Sequence, residues 1–297
     1  MPLDYQKLMS LDLPPIEPAY NQKDCILYAL GVGFGQNPMD EAELAFVYED
    51  DLKVVPTFAV VLGYSPYSFR RPELGITWTR VVHGEHGLVL HRPIPAEGTV
   101  IGQVRIRDVV DKGEGRGALI YSERTITDKT SGELLATITQ TTFCRADGGF
   151  GGPKRDAPAP HLLPARPPDA VCDLPTRPET ALIYRLSGDI NPLHADPAFA
   201  KAAGFPRPIL HGLATFGIAG RALLKALCDY DPHRLTAMAG RFSAPVYPGE
   251  TIRTEMWRDG PIVSFRARVL ERDVIALDHG RAELVYHRGR GCPEPPA

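Results

Sequence analysis

Apolar and polar residues alternate over long stretches of this chain. From 100 to 109, Val100, Ile101, Val104, Ile106 and Val109 interleave with Gln103, Arg105 and Arg107, and the pattern resumes at Leu119, Tyr121, Arg124 and Ile126 and again over 135–139. Side chains that change face with a period of two predict strands, and breaks rich in Gly, Asp and Pro predict that the strands run antiparallel. The second half repeats the plan with Ile252, Glu255 and Trp257, then Ile262, Val263, Phe265, Ala267 and Val269, then Ala282, Leu284 and Val285. Residues 93–100 and 245–252, each opening on proline and carrying Gly, Glu and Thr before a β-branched residue, echo one another ahead of the two sets.

Helical spacing is rarer. Leu213, Phe216, Gly220, Leu223 and Leu227 share one face, so 212–227 reads as a helix, and the small Ala214, Gly217, Ala219 and Gly220 let it lie close to a curved sheet. In the first half the apolar segment 57–62, preceded by Pro56, holds the equivalent place, and 21–33 reads as a further helix. Between the halves, a Gly-rich run from Asp147 and then Pro158, Pro160, Pro164, Pro167 and Pro168 have linker composition. The expected division is a domain over 1–145, a linker over 146–180 and a second domain over 181–297.

With 297 residues and 43% apolar content, either domain can bury a core. A net charge of -3 without a basic stripe speaks against nucleic acid or an anionic membrane as partner. No apolar run reaches the roughly 18 residues a membrane span needs, and the start of the chain lacks a basic stretch followed by an apolar one. Cys25, Cys144, Cys172, Cys228 and Cys292 are odd in number and scattered, as reduced thiols are, and the last residues carry no peroxisomal address. A cytoplasmic protein is expected. Gly31, Gly33 and Gly35 lack the strand and helix of a dinucleotide fingerprint, so no such cofactor is expected.

Candidate chemistry concentrates in 184–194. Gly188 permits unusual dihedrals, Pro192 lacks a donor and Asn191 is pushed out of the α region, so the chain must bend between Asp189 and His194. A bend can set the carboxylate and the imidazole around one water, both able to accept its proton. Alternatively Asp189 caps a following helix and His194 only packs. Gly212, at the start of the 212–227 helix and near Pro208, either eases packing or lets a ligand reach unpaired backbone amides. His83, Gly84, His86 and His91 could suggest a metal cluster, but strand alternation would put His83 and His91 on one face and His86 on the other, so no metal is expected.

The string Tyr184, Ser187, Gly188, Asp189, Asn191, Pro192, Leu193, His194 resembles the signature of the R-specific enoyl-CoA hydratases (hydratase 2) of the MaoC-like dehydratase group. The resemblance implies an α+β double hot-dog fold, two antiparallel sheets each wrapped around a central helix, placed side by side so that they run on into one larger sheet. It implies hydration of trans-2-enoyl-CoA to (3R)-3-hydroxyacyl-CoA, a step of fatty acid metabolism, with Asp189 and His194 on the water, Asn191 orienting them and the Gly212 amide on the thioester oxygen. His83, Gly84, Lys112, Ile190, Pro192, Leu193 and Phe242 carry over as acyl-CoA-binding residues. By themselves Lys112 reads as a solvated turn lysine and Phe242, taken to open the strand before Pro245, as core. No cofactor is implied beyond the CoA thioester substrate, and a homodimer is expected. The first half lacks the motif, so one site per chain is expected, with the first half supplying room for the acyl tail. Dehydration of a branched, dicarboxylic or steroid side-chain thioester, and thioester hydrolysis, are the competing readings.

Overall fold

The computed structural model describes residues 2–64, 71–153, 155 and 158–285; Cys292 lies outside them. Ten strands form: β1 (Ala19–Tyr20), β2 (Val81–Leu90), β3 (Gly98–Asp111), β4 (Ala118–Asp128), β5 (Leu134–Cys144), β6 (Ala170–Pro175), β7 (Leu235–Phe242), β8 (Thr251–Asp259), β9 (Ile262–Val269) and β10 (Val274–Leu284). All join one antiparallel sheet in the order β1-β3-β4-β5-β2-β7-β10-β9-β8-β6. The two expected sheets thus run on into one larger sheet, as the resemblance implied. The halves meet where β2 pairs with β7, from Glu85 opposite Arg241 to Val89 opposite Ala237, which satisfies two rows of backbone groups that would otherwise be exposed edges.

Among the described residues two helices of ten residues or more pack with this sheet. Helix α1 (Gln22–Gly31) starts at a capping box in which the Asn21 side chain accepts the Lys23 amide and Asp24 accepts the Asn21 amide. Helix α2 (Gly212–Leu227) is buried from Leu213 to Leu224 and lies against the second half of the sheet. Its small residues serve close approach: a methyl on Gly220 would come within 2.8 Å of Thr57 Cγ2, and one on Gly217 within 2.5 Å of Val32 Cγ1.

The first half departs from the expected symmetry. Its apolar segment forms a 3-10 turn over Pro56–Val60, not a long helix, so the central-helix expectation holds in the second half alone. Five residues beginning with proline are too few to build a stable α-helix, and burial of Phe58, Ala59 and Val60 fixes the turn instead. The segment expected as linker contains β6, which pairs with β8 at the sheet edge from Ala170 opposite Met256 to Pro175 opposite Thr251.

A buried ion pair ties the halves together behind α2. Arg221 Nη2 reaches both Glu43 oxygens at 2.7 and 2.9 Å, Arg221 Nε adds a bond at 3.2 Å, and the Tyr230 hydroxyl donates to Glu43 at 2.7 Å. Cys25, Cys144, Cys172 and Cys228 are buried free thiols.

Candidate active site

From 180 to 212 the chain is mostly short turns. A helix over Thr180–Tyr184 runs into a 3-10 turn, Arg185–Ser187, and Gly188 then takes φ 118°, where a side chain would be strained. Asp189 follows, its Oδ1 accepting the Asn191 amide at 3.2 Å; Asn191 Oδ1 accepts the Leu193 amide at 3.1 Å. These successive side-chain turns, with Pro192 opening the single turn Pro192–His194, hold Asp189 and His194 in one place. The helix-cap alternative for Asp189 does not hold. The next helix, Pro197–Ala202, is capped by Asp196, whose Oδ1 accepts the Ala198 and Phe199 amides.

His194 Nδ1 donates to the Ile209 carbonyl at 2.8 Å. A carbonyl can only accept, so the neutral imidazole keeps Nε2 as a bare acceptor. His211, which the sequence reading did not single out, stacks on His194 with ring centroids 3.6 Å apart and 26° between planes. Its Nε2 donates to the backbone carbonyl of Asp189 at 3.0 Å, while its Nδ1 is buried with no hydrogen-bond partner among the described residues. One nitrogen from each imidazole and an Asp189 oxygen lie within 4.8 Å of one another. His194 and His211 are 8% and 1% exposed, whereas Asp189 is half-buried between the exposed Gly188 and Ile190, so the cluster meets solvent on its carboxylate side.

Such a set could also hold a divalent cation. The nearly parallel rings direct their lone pairs along separate planes, so an ion would require one ring to turn; a water, with protons to share among three acceptors, suits the arrangement as it stands.

Burial holds His194 below the usual imidazole range, against the Ile209 carbonyl and the Asp189 charge, which pull it back up. Burial, reinforced by His194, pushes His211 down to about 3. Desolvation disfavours the imidazolium in both, so both are neutral near pH 7.

Gly212 begins α2. The first intrahelical bond runs from the Thr215 amide to the His211 carbonyl, and His211 makes no side-chain cap, so the amides of Gly212, Leu213 and Ala214 have no helical acceptor. A methyl on Gly212 would come within 3.2 Å of the Phe242 ring. Phe242 proves to be the last residue of β7 rather than the opening of a strand, and its ring centroid lies 4.7 Å from that of His83. Gly212, Phe242 and His83 thus form a continuous wall.

Alternation misassigned the faces of β2. A bulge between His83 and Glu85 sets His83 opposite Thr142 and His86 opposite Gln140, two residues apart on β5 and so on one face. His83 Nε2 and His86 Nδ1 lie 3.2 Å apart, and His91, on the other side, meets Thr137. Gly84 sits in the bulge, where a methyl would come within 3.1 Å of the Thr141 carbonyl. Burial pushes His83 down to about 4 and His86 well below its ordinary range. Among the described residues Lys112 is not brought into the cluster; it is exposed on the β3–β4 turn with its ammonium 5.2 Å over the Phe143 ring. Ile190 and Pro192 are exposed and Leu193 is half-buried beside the motif.

Residues 161–279 match the model of the MaoC like domain, and residues 19–146 match that of the MFE-2 hydratase 2 N-terminal domain. The chain is 40% identical over 286 residues to the peroxisomal enoyl-CoA hydratase 2 of Arabidopsis thaliana, covering 91% of this chain and 92% of the relative. It belongs to the MaoC-like hydratase 2 family. A second family member, 3-hydroxyacyl-thioester dehydratase Y of Mycobacterium tuberculosis, is 42% identical over 277 residues, covering 90% of this chain and 93% of the relative. The crystal structure of a MaoC-like dehydratase from Phytophthora capsici superposes with a TM-score of 0.84 at 32% identity, covering 95% of this chain and 98% of that one. Among the described residues no helix is long and apolar enough to cross a membrane, as the sequence implied. Of the residues gathered here in this hydratase 2 chain, His211 escaped the sequence reading and His86 was placed on the wrong face. His211 adjoined the recognised Gly212, but nothing local says that its ring turns back onto Asp189. His86 was assigned to the wrong face because a bulge leaves no mark in a pattern of period two.

Proposed function

We propose that this protein is a hydro-lyase that adds water reversibly to a trans-2-enoyl-CoA, giving the (3R)-3-hydroxyacyl-CoA. The observation that carries the mechanism is the commitment of His194 Nδ1 to the Ile209 carbonyl, which leaves Nε2 as an acceptor on a ring clustered with the Asp189 carboxylate. A water held between them loses a proton to the pair as its oxygen bonds to C3. The C2–C3 π electrons move toward the thioester, and the proton returns to C2 on the same face, so the pair ends as it began. Asn191 fixes the Asp189 carboxylate through its backbone amide.

Negative charge that develops on the thioester oxygen is received by the Gly212 amide at the uncapped start of a 16-residue helix. His83, Gly84 and Phe242 form the wall against which the thioester lies; Ile190, Pro192 and Leu193 border its entrance, and Lys112 is assigned to the CoA phosphates. The chemistry described uses no metal or redox group, because conjugation with the thioester already polarises C3.

Loss of enoyl-thioester absorbance on mixing the protein with crotonyl-CoA, followed by chiral analysis of the product, tests the reading. The expected result is a 3R alcohol. A 3S product, or release of free CoA thiol in its place, would overturn it.

A further inference from the structure

The inner face of the first half of the sheet carries a strip of polar side chains beside the apolar Ile126, Ala136 and Ile138. Cross-strand register sets Ser122 opposite Gln140 and Gln140 opposite His86, with Thr142 opposite His83 in the next row. His86 packs edge-on against Phe216 of α2, which identifies this as the buried face. Arg124 shares it, two residues beyond Ser122, and is 6% exposed.

Arg124 is a cation without a counter-charge. Among the described residues no carboxylate pairs with it. Its Nη2 donates to the Val60 carbonyl at 2.6 Å, its guanidinium carbon lies 5.1 Å over the Tyr64 ring, and its Nε is buried with no hydrogen-bond partner. A guanidinium carries five N–H donors, and one backbone carbonyl is a poor return for burying it. Burial lowers Arg124 to about 10, and its charge helps depress both His83 and His86. If Arg124 served only to hold the Val60 turn, its charge would be superfluous.

The same residue is linked to the proposed site from two directions. Phe58, in the turn whose Val60 carbonyl it holds, packs against Tyr28, Tyr28 packs against Tyr184, and the Tyr184 ring lies 5.0 Å from that of His211. On the other side His83 leads through Phe242 to Gly212. Among the described residues the short turn Pro56–Val60 stands where a full helix lies in the second half.

From this buried, unpaired guanidinium set in a polar patch beside the site, we infer that Arg124 receives a carboxylate at the far end of the acyl chain, so that the preferred substrates are ω-carboxy-2-enoyl thioesters. This rests on the hydratase reading and specifies its substrate class. A carboxylate would accept from Nε and a terminal nitrogen together, the bidentate geometry suited to a guanidinium fork. A methyl-ended chain of equal length would leave those donors unsatisfied.

The test compares trans-2-enoyl-CoA esters of matched length ending in a carboxylate or a methyl group, from six to sixteen carbons or so, reading the ratio of kcat/KM values within each protein preparation. At the best length the wild type is expected to favour the carboxylate by about tenfold or more, a difference of about 1.4 kcal/mol. Arg124→Met should bring the ratio to about one, and Arg124→Lys should retain part of the preference, which a general packing defect would not do. Replacing a buried, unpaired cation by an apolar side chain of similar volume should leave the melting temperature unchanged or raised. A wild-type ratio near one at every length, or a preference that survives Arg124→Met, would overturn the inference while crotonyl-CoA hydration left the parent reading standing. Failure to hydrate crotonyl-CoA would remove both.

Discussion

The imidazoles of His194 and His211 stack at 3.6 Å yet are anchored to different carbonyls, His194 to Ile209 and His211 to Asp189. Each anchor fixes a tautomer, and together they turn two neutral rings toward the carboxylate side of the cluster. The acid is held as firmly as the rings, because its own backbone carbonyl is one of the anchors. This mutual bracing gives the water-binding assignment consequences that can be measured.

Removing the acid or the anchored base should abolish most turnover without unfolding the chain. Asp189→Asn and His194→Ala are each expected to lower kcat by about 10² to 10⁴, the usual range for a positioned acid–base group. Steady-state hydration kinetics with circular dichroism of the variants checks this; near wild-type turnover in Asp189→Asn would dismiss the assignment.

Through its bond to the Asp189 carbonyl, His211 is expected to position the acid. His211→Phe keeps the ring stack and removes both nitrogens, so kcat is expected to fall by about tenfold, the equivalent of one hydrogen bond, with KM little changed. An unchanged kcat in a folded variant would make the ring a packing element only.

Acid pH should act on activity and stability alike. In the proposed mechanism His194 is the neutral base, and burial lowers its pKa, so the acid limb of the kcat/KM profile is expected below pH 6.5. For stability the sign follows from His83, depressed from 6.5 to about 4. The unfolded chain binds its proton first, so stability is full above pH 6.5 and declines as pH falls toward 4, by about 1.4 kcal/mol per pH unit for such a group. His211 adds a decline of the same sign. Urea unfolding midpoints between pH 4 and 7 read this directly, and a flat series would contradict it.

Gly212 offers a steric test of the helix start. Gly212→Ala would bring a methyl within 3.2 Å of the Phe242 ring, which must shift by a few tenths of an ångström and carry the wall of the site with it. A fall of about tenfold in kcat/KM is expected with little change in melting temperature. Gly212→Ala combined with Phe242→Leu should recover part of the loss if the ring is the obstacle.

Glu43 should behave as a purely structural residue. Glu43→Ala leaves the 4%-exposed Arg221 buried and unpaired, at a cost of about 3–5 kcal/mol. Glu43→Ala with Arg221→Met, which removes both charges, is expected to restore much of that stability in denaturant titrations.

Local chemistry that needed few neighbours was legible in the sequence. The α2 boundaries followed from apolar spacing, and β3, β4, β5, β8 and β9 from alternation with turn residues between them. The bend at Gly188 and Pro192 placed Asp189 near His194 because glycine and proline restrict the backbone whatever surrounds them. Strand β6 was hidden in proline-rich sequence, since pairing with β8 rather than propensity defines an edge strand. Phe242 was put at the wrong end of its strand because Gly240, Arg241 and Phe242 give no boundary signal.

By itself, then, the chain determined the repeated strand plan, the two longest helices and the meeting of an acid with an imidazole, all set by periodicity and backbone restriction over short stretches of sequence. Tertiary structure alone decided that the halves join through β2 and β7 and in what register, that a bulge turns His86 toward His83, that His211 reaches back to Asp189, and that Arg124 is buried without a carboxylate among the described residues. Each of these depends on which strand lies beside which and in what register, and that is fixed by long-range packing of residues whose own neighbourhoods in the sequence look ordinary.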